Sequence, residues 1–224
     1  MCRLRLLLVW SCAVFGSGTV LGCSRYVEPL PPSAASDGAN LGKPLGAFQL
    51  TYYWVADEAD FDGLPDTQIY DQAWAPLAAV PSAFARSLVM EGTGRLKGGR
   101  LLNYAGACGC AFSPCFVELG EAHPWGMGVE ERALAPFRSV AVDPSVVAIG
   151  ARLYVANLAG VTVPGEPPWG GFQHDGCVVA DDRGGAIVGR HLDFFSASRS
   201  YFQALDQTLK VREVSVYEAG SHCP

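Results

Sequence analysis

Residues 180–195 have the sequence ADDRGGAIVGRHLDFF, in which a glycine-rich bend separates two short apolar segments. Residues 177–180 are apolar and largely β-branched, which predicts a buried strand. Gly184 and Gly185 follow that strand, at a bend where the backbone can approach a ligand closely. Asp193 stands between a leucine and two phenylalanines, where a carboxyl is costly to bury unless it is paired or functional. Because apolar surroundings disfavour the charged form, we expect a raised pKa for Asp193, toward that of a general acid.

Short apolar and aromatic segments separated by turns continue in both directions from this stretch. With 26 Gly and 15 Pro, the chain has frequent turn signals. One amphipathic helix is expected at 200–207, because Tyr201, Ala204 and Leu205 share a helix face. Many short strands with one or two small helices favour a closed or nearly closed β-barrel, and no linker divides residues 46–224. Strands are predicted at 48–55, 87–91, 100–104, 137–142, 152–156, 177–180 and 213–217.

Composition narrows the class of protein. The 224 residues suit one domain with a tail, and 50% hydrophobic against 17% charged residues is enough for a substantial core. The formal charge is −6, and the chain has no cluster of lysines and arginines. It therefore lacks the electrostatic footprint of a nucleic-acid-binding protein, and we expect no nucleic-acid partner.

The first 22 residues are typical of an export signal. Arg3 and Arg5 precede an apolar run that is too short and too broken by glycine to span a membrane comfortably. VLGC at 20–23 is similar to a bacterial lipobox, in which Cys23 is diacylated and becomes the mature N-terminus. The alternative is an ordinary signal peptide, with Cys23 incidental. Residues 23–45 are rich in Pro, Ser, Gly and Ala, which predicts a flexible tether.

The cysteines agree with export. Of eight, Cys2 and Cys12 would leave with the signal and Cys23 would carry lipid. The remaining five, an odd number, allow at most two internal disulfides and leave one thiol. A zinc site would usually need a fourth ligand, and only His123 lies near the central cluster, so we favour a disulfide there and expect no metal or cofactor. The sequence leaves the pairing open among Cys108, Cys110, Cys115, Cys177 and Cys223.

Together with AVDPSVVAIGARLY at 141–154, the stretch at 180–195 resembles the three-aspartate (3D) domain family. That domain is found in membrane-bound lytic transglycosylase A and in small stationary-phase muralytic proteins. The resemblance is tight over 138–196 and looser around 50–53. It implies a mainly β fold, a double-psi β-barrel with short helices. Residues 57–136 exceed a minimal domain of this family and are interpreted as a long, loop-rich insertion.

The resemblance places the three aspartates of the family on Asp143, Asp182 and Asp193, with catalysis on Asp193. The doubled acid at 181–182 leaves an ambiguity of one residue, and the spacing to the glycines favours Asp182. Arg183 stands where the family usually has Thr, which puts in doubt any hydrogen bond from a hydroxyl there. Each aspartate also has a structural interpretation, as a turn-capping or loop-fixing carboxylate. We favour that interpretation for Asp143, because Asp-Pro turns are common.

Substrate contacts are predicted on the bends, loops and strand ends near these aspartates. An aromatic ring on a glycine- and proline-rich loop can stack on sugars, although it can equally plug the edge of a core. No glutamate is singled out as a second catalytic carboxyl, with Glu121, Glu130 and Glu131 all open. The residues predicted to bind substrate are Tyr52, Thr93, Trp169, His174, Gly184 and Gly185.

By resemblance, the function is lytic cleavage of the β-1,4 bond between N-acetylmuramic acid and N-acetylglucosamine, leaving a 1,6-anhydro sugar. Asp193 would act first as acid and then as base. One alternative is a peptidoglycan-binding lipoprotein without turnover. Another is hydrolysis of the same bond, for which residues 57–136 could supply a second acid. The expected partners are peptidoglycan strands and, through lipid on Cys23, a membrane. The protein is expected to be a monomer in the bacterial cell envelope, anchored at the outer membrane and facing the periplasm.

Overall fold

The computed structural model describes residues 41–223, so the predicted export signal, Cys23 and most of the predicted tether lie outside it. Strand β1 begins at Pro44 and so includes the last two residues of the predicted tether. Neither helix among the described residues has the length and apolar character of a membrane span. The elements are β1 Pro44–Tyr53, β2 Ala56–Asp57, β3 Thr67–Tyr70, β4 Pro76–Val80, α1 Ser82–Glu91, β5 Thr93–Arg95, β6 Leu101–Tyr104, β7 Phe116–Leu119, β8 Ser139–Val142, β9 Arg152–Val155, β10 Cys177–Asp182, β11 His191–Phe195, α2 Arg199–Leu209 and β12 Glu213–Glu218.

A closed barrel is formed by strands in the order β1-β11-β8-β10-β9-β12. Strand β1 is parallel to β11 and β8 is parallel to β10, whereas the other four neighbouring pairs are antiparallel. This arrangement confirms the mainly β class and the closed barrel, and it is consistent with the double-psi description. The helix predicted at 200–207 is confirmed as α2.

Alternation along the strands fills the barrel. Phe48 and Leu50 of β1 and Leu192 and Phe194 of β11 belong to the barrel core, each with no more than 2% of its surface exposed. Successive side chains of a strand point to opposite faces, so the residues between them lie on the outer wall. Asp193 is one of these. Its apolar neighbours in sequence therefore pack inside the barrel while its own carboxyl points outward.

The chain between β1 and β8 forms a second layer. Its strands and helix lie within the predicted insertion, except for Ala56, the first residue of β2. It contains the sheet β2-β5-β6-β7, the hairpin β3-β4 and helix α1, joined by loops. Phe84 and Leu88 of α1 pack with Ile69, Leu102 and Phe116 in a core separate from that of the barrel. The segment thus has a hydrophobic core of its own.

The strand predicted at 87–91 is wrong, because these residues form the second half of α1. Phe84, Ala85 and Leu88 are buried on one helix face, a spacing that only becomes visible when the first turn is included. Gly92 ends the helix in the left-handed conformation (φ 77°), as glycine commonly does at this position.

The second layer packs on the outer wall of the barrel. Arg132 of this layer forms a salt bridge of 2.7 Å with Asp181 of β10. Gly128 approaches the same strand so closely that a Cβ there would overlap the carbonyl oxygen of Asp181. The apolar part of the contact is a cluster of Tyr53, Val55, Leu101, Leu134, Ala141, Ile187 and Phe195.

The described cysteines form two disulfides, Cys108–Cys115 and Cys177–Cys223, and leave Cys110 as a thiol. This confirms the predicted parity and a bond within the central cluster. The sulfur atoms of the three clustered cysteines lie within 4.8 Å of one another, a spacing that a metal ion would also accept. Two of the three sulfur atoms are bonded to each other in the disulfide and are not available as metal ligands. The arrangement therefore favours a disulfide over a metal site.

Candidate active site

A groove of about 790 Å³ opens between the barrel wall and the second layer. The barrel contributes strands β1, β8, β10 and β11, and the second layer contributes the end of α1, strands β5 and β6, and residues 127–129. Three carboxyl side chains line it, those of Glu91, Asp182 and Asp193. Two of the three predicted aspartates therefore meet in one groove.

Strand register sets the two aspartates in one row across the barrel wall. Asp193 lies opposite Thr51 of β1 on one side and Ala141 of β8 on the other. Ala141 in turn lies opposite Asp182 of β10. Because neighbouring strands are about 4.8 Å apart, the backbones of Asp182 and Asp193 are separated by roughly 10 Å. The short side chain of Ala141 leaves the space between them open.

A β-bulge decides which residue of the Asp181–Asp182 pair enters this row. The pairing of β10 with β8 shifts between Ala180 and Asp182, so one extra residue is inserted on β10. A bulge re-aims the side chains that follow it, and bulges are frequent beside active sites. Here it turns Asp182 into the groove and leaves Asp181 directed at the second layer. The spacing argument for Asp182 agrees with this geometry.

Asp193 is held by a short chain of polar groups. The hydroxyl of Thr51 donates to Asp193 Oδ1 over 2.7 Å, and His191 Nε2 lies 2.7 Å from the same hydroxyl oxygen. Since the Thr51 proton is used on Asp193, the histidine must donate to Thr51. Burial raises the pKa of Asp193, whereas the Thr51 hydrogen bond and the nearby His191 oppose that shift. The expected direction of the shift is thus present, although its cause is the covering second layer.

Asp182 is the second acid of the row. Burial raises its pKa to about 6, against the backbone N–H of Arg183, which donates to Asp182 Oδ1 over 2.8 Å. Tyr53 directs a buried hydroxyl toward Asp182, but the contact falls short of a well-formed hydrogen bond. Burial and the two aspartates together raise the pKa of Tyr53 well above its ordinary value. The side chain of Arg183 is exposed at the groove.

Asp181 and Asp143 have structural contacts instead. Asp181 accepts from Arg132 and from Ser139, each over 2.7 Å, and is 7% exposed. Asp143 lies outside the groove, where it accepts from Ser145 and from the backbone N–H of Gly189 over 2.6 Å. These hydrogen bonds lower the pKa of Asp143. Asp143 therefore fixes the turn after β8 and the end of the glycine loop, in agreement with the structural interpretation and not with direct catalysis.

The family model of the 3D domain matches residues 138–207. The resemblance to the 3D domain is confirmed over this part of the chain. The matched residues include Asp143, Asp182 and Asp193, and exclude the wall of the groove that the second layer supplies. No curated protein sequence matches the chain.

Solved structures share the fold at low sequence identity. E. coli MltA with bound chitohexaose matches with a TM-score of 0.54 and 16% identity, over 77% of this chain and 71% of that one. The membrane-bound lytic murein transglycosylase from Agrobacterium tumefaciens matches with a TM-score of 0.50 and 14% identity, over 77% and 73%. The shared fold thus extends beyond the 3D domain into the second layer.

Glu91 is a groove residue that no sequence motif singles out. It is the last residue of α1, on the wall opposite the 3D domain, and its Oε2 accepts the backbone N–H of Trp54 over 3.1 Å. Burial raises its pKa to about 7, with a further contribution from Asp193. Its position depends on folding of the second layer against the barrel. Among the described residues, the acids left open from sequence, Glu121, Glu130 and Glu131, are not part of the groove lining.

Of the six predicted substrate-binding residues, three line the groove and three do not. Thr93, Gly184 and Gly185 line the groove. The Thr93 hydroxyl, however, donates to Asn103 over 2.6 Å, so it serves to fix the wall. Gly185 has open space beside its Cα, as expected at a groove edge.

Tyr52, Trp169 and His174 lie outside the groove lining. The ring of Tyr52 packs against Phe194 and Phe202, because its position on β1 turns it away from the outer wall. Trp169 is 42% exposed and packs edge-on against Trp125. His174 is only 1% exposed, with both ring nitrogens bonded to backbone groups, so its predicted contact with substrate is not supported. Burial lowers the pKa of His174 to about 4, and it stays neutral.

A second cavity of about 650 Å³ is lined in part by strand β5, as the groove is. Thr93 lines the groove and Arg95 lines the second cavity, and these residues point to the same face of β5. Likewise, Tyr53 lines the groove and Val55 lines the second cavity. The second cavity also contains Trp125, with the Arg95 guanidinium 5.9 Å from the ring centre. Residues two positions apart on the same segments therefore line the two spaces.

Proposed function

We propose that this protein is a lytic transglycosylase that cleaves the β-1,4 bond between N-acetylmuramic acid and N-acetylglucosamine in peptidoglycan. The observation that carries the proposal is the position of Asp193 on one wall of the groove, with a raised pKa and with a second acid, Asp182, on the same wall. Perturbed carboxyls gathered in a cleft are characteristic of catalytic sites. The 3D domain and the fold shared with E. coli MltA, which was solved with bound chitohexaose, support a glycan as ligand.

In its simplest form the reaction needs one acid/base residue. The Asp193 carboxyl gives its proton to the bridging O4 as the C1–O4 bond breaks, and the electron pair of that bond stays on O4. The resulting carboxylate then takes the proton of the C6 hydroxyl as O6 bonds to C1, which closes the 1,6-anhydro ring. Asp182 assists because two nearby carboxyls do not readily ionise together. The second cavity, which is also lined by β5, offers room for a polymer that extends past the cleaved bond.

The test is mass spectrometry of the products after the purified protein has been incubated with peptidoglycan sacculi. We expect soluble muropeptides that end in 1,6-anhydro-N-acetylmuramic acid. Products with only reducing ends would identify the protein as a hydrolase. Binding to sacculi with no release would identify it as a peptidoglycan-binding protein without turnover.

We also propose that the protein is a monomer held at the outer membrane by lipid on Cys23, with its domain facing the periplasm. The motif VLGC at 20–23 and the tether after it support this location, and the Agrobacterium enzyme of similar fold is membrane-bound. Metabolic labelling with a fatty-acid analogue tests the anchor. Label should appear on the wild type and be lost in Cys23→Ala, and label that survives the substitution would remove the lipobox interpretation.

A further inference from the structure

Glu91 occupies a position that is unfavourable for a negative charge. It ends α1, where the partial negative charge of the helix disfavours a carboxylate, and the last turn of α1 carries no basic residue to offset this. An acid at this end of a helix departs from the usual preference for basic residues there. Such departures are expected at functional sites, where local stability is given up for chemistry.

Only one side of this carboxyl is committed to the fold. Oε2 accepts the backbone N–H of Trp54, the residue that follows β1. Within residues 41–223, Oε1 makes no hydrogen bond and the side chain lines the groove. The Trp54 contact fixes the direction of the side chain, and the other oxygen is available to a ligand.

The charged and titratable groups that line the groove with Glu91 come mainly from the barrel. Asp193 is close enough to raise the pKa of Glu91 after burial has already raised it, to about 7 in all, against the Trp54 hydrogen bond. Thr51 donates to Asp193 and so stabilises its ionised form, whereas Oε1 of Glu91 has no hydrogen-bond donor among the described residues. This difference in hydrogen bonding favours Glu91 as the acid of the pair and Asp193 as the base. The groups concerned are Tyr53, Tyr104, Asp182, Arg183 and Asp193.

We propose that Glu91 is a second acid/base residue, which gives the proton to the leaving oxygen and leaves Asp193 to act as base. This inference rests on the proposed function and divides its two proton transfers between opposite walls of the groove. The Glu91 carboxyl protonates O4 as the C1–O4 bond breaks, with the electron pair passing to O4. The Asp193 carboxylate removes the proton of the C6 hydroxyl as O6 bonds to C1. Asp193 then releases its proton to solvent and Glu91 takes up a proton from solvent, which restores both groups for the next turnover.

The test compares Glu91→Gln with Asp193→Asn on two kinds of substrate. On sacculi, Glu91→Gln should lose about 10²-fold in kcat, with the fall in activity above about pH 7 removed. On an aryl glycoside of the same glycan, whose phenolate leaves without protonation, Glu91→Gln should recover to within about tenfold of wild type. Asp193→Asn should not recover, because the base is still needed. Gln keeps the acceptor for Trp54, so the fold is retained.

Glu121→Gln is the matched control, because Glu121 is an exposed acid of the same layer outside the groove, and it should behave as wild type. If Glu91→Gln keeps the wild-type rate and pH profile on sacculi, Glu91 is not an acid of this reaction. Equal loss on both substrates, with an unchanged pH profile, would assign it a structural role. Either result leaves the proposed function intact, whereas a wild type that releases no anhydro products overturns the proposed function itself.

Discussion

Asp182 and Asp193 lie on opposite sides of one residue, Ala141, on three neighbouring strands of the barrel. The arrangement requires a bulge in β10, because a regular register would not bring Asp182 level with Ala141. It places two acids with raised pKa values on one wall of the groove. The predictions below follow from this row and from the wall that faces it.

Asp193→Asn should abolish most turnover while glycan binding persists. The amide keeps the size of the side chain and an acceptor for Thr51, but it can neither give nor take a proton. General acid–base catalysis contributes about 10²–10⁴-fold, and the loss should lie at the upper end of that range. Release of muropeptides measures the rate, and a pull-down with sacculi measures binding. A variant as active as wild type would reject the assignment of Asp193.

Asp182→Asn and Asp181→Asn should have different effects, although the residues are adjacent. The pKa of Asp182 is raised to about 6, in part by Asp193, so Asp182→Asn should remove the limb of the pH–rate profile near that pH. Asp181→Asn breaks contacts with Arg132 and Ser139, so it should lower thermal stability. Its effect on the pH profile should be small. An unshifted profile for Asp182→Asn would show that the two acids are uncoupled.

Glu91→Gln should stabilise the protein at neutral and alkaline pH. The pKa of Glu91 rises from an ordinary value of 4.5 to about 7 in the folded chain, so between these values the folded chain binds more protons than the unfolded chain. Stability is therefore lost as pH rises through that window. The substitution avoids this loss, which amounts to about 3 kcal/mol above pH 7. Thermal unfolding across the pH range checks this. The two proteins should coincide below about pH 4.5, and a constant difference at every pH would contradict it.

Trp125→Ala should weaken binding of long glycans more than short ones. The Trp125 ring lies in the second cavity, next to the groove along β5, so only a ligand that extends past the groove reaches it. Stacking of a sugar on an aromatic face is typically worth about 1 kcal/mol, or several-fold in affinity. Titration with a length series of chitooligosaccharides measures this. The exposed Trp74→Ala is the control, and an equal effect at all lengths would place Trp125 outside the binding cleft.

The two disulfides should contribute unequally to stability. Cys177–Cys223 closes a loop with a sequence separation of 46, whereas Cys108–Cys115 closes one of 7. The loss of entropy in the unfolded chain grows with loop length, so replacing the first pair by serine should cost roughly 4 kcal/mol and the second about 2 kcal/mol. Denaturant unfolding gives both values. A larger cost for the shorter loop would show that packing, and not loop closure, dominates.

Sequence alone determined the features that depend on neighbours along the chain. Local residue order explains the alternation of β11, the Asp143–Pro144 turn and the odd number of cysteines after residue 23. The aspartates could be chosen because the resemblance to the 3D domain lies in short local motifs, and the spacing to the glycines favoured Asp182 over Asp181. The helix α1 was missed in part, because its apolar face only appears when the turn before residue 87 is included.

Tertiary structure decided what depends on packing between distant segments. Tyr52 and His174 were placed at the groove by sequence, but strand alternation and burial remove them from it. Glu91 reaches the groove because the second layer folds on its own core and then packs against the outer wall of the barrel. Asp193 is buried at this contact, and burial raises its pKa. The direction of the shift was predicted correctly, but the apolar neighbours Leu192 and Phe194 pack inside the barrel and do not cause it. The charge state of a carboxyl is set by everything that surrounds it in space, and most of that surrounding is far away along the chain.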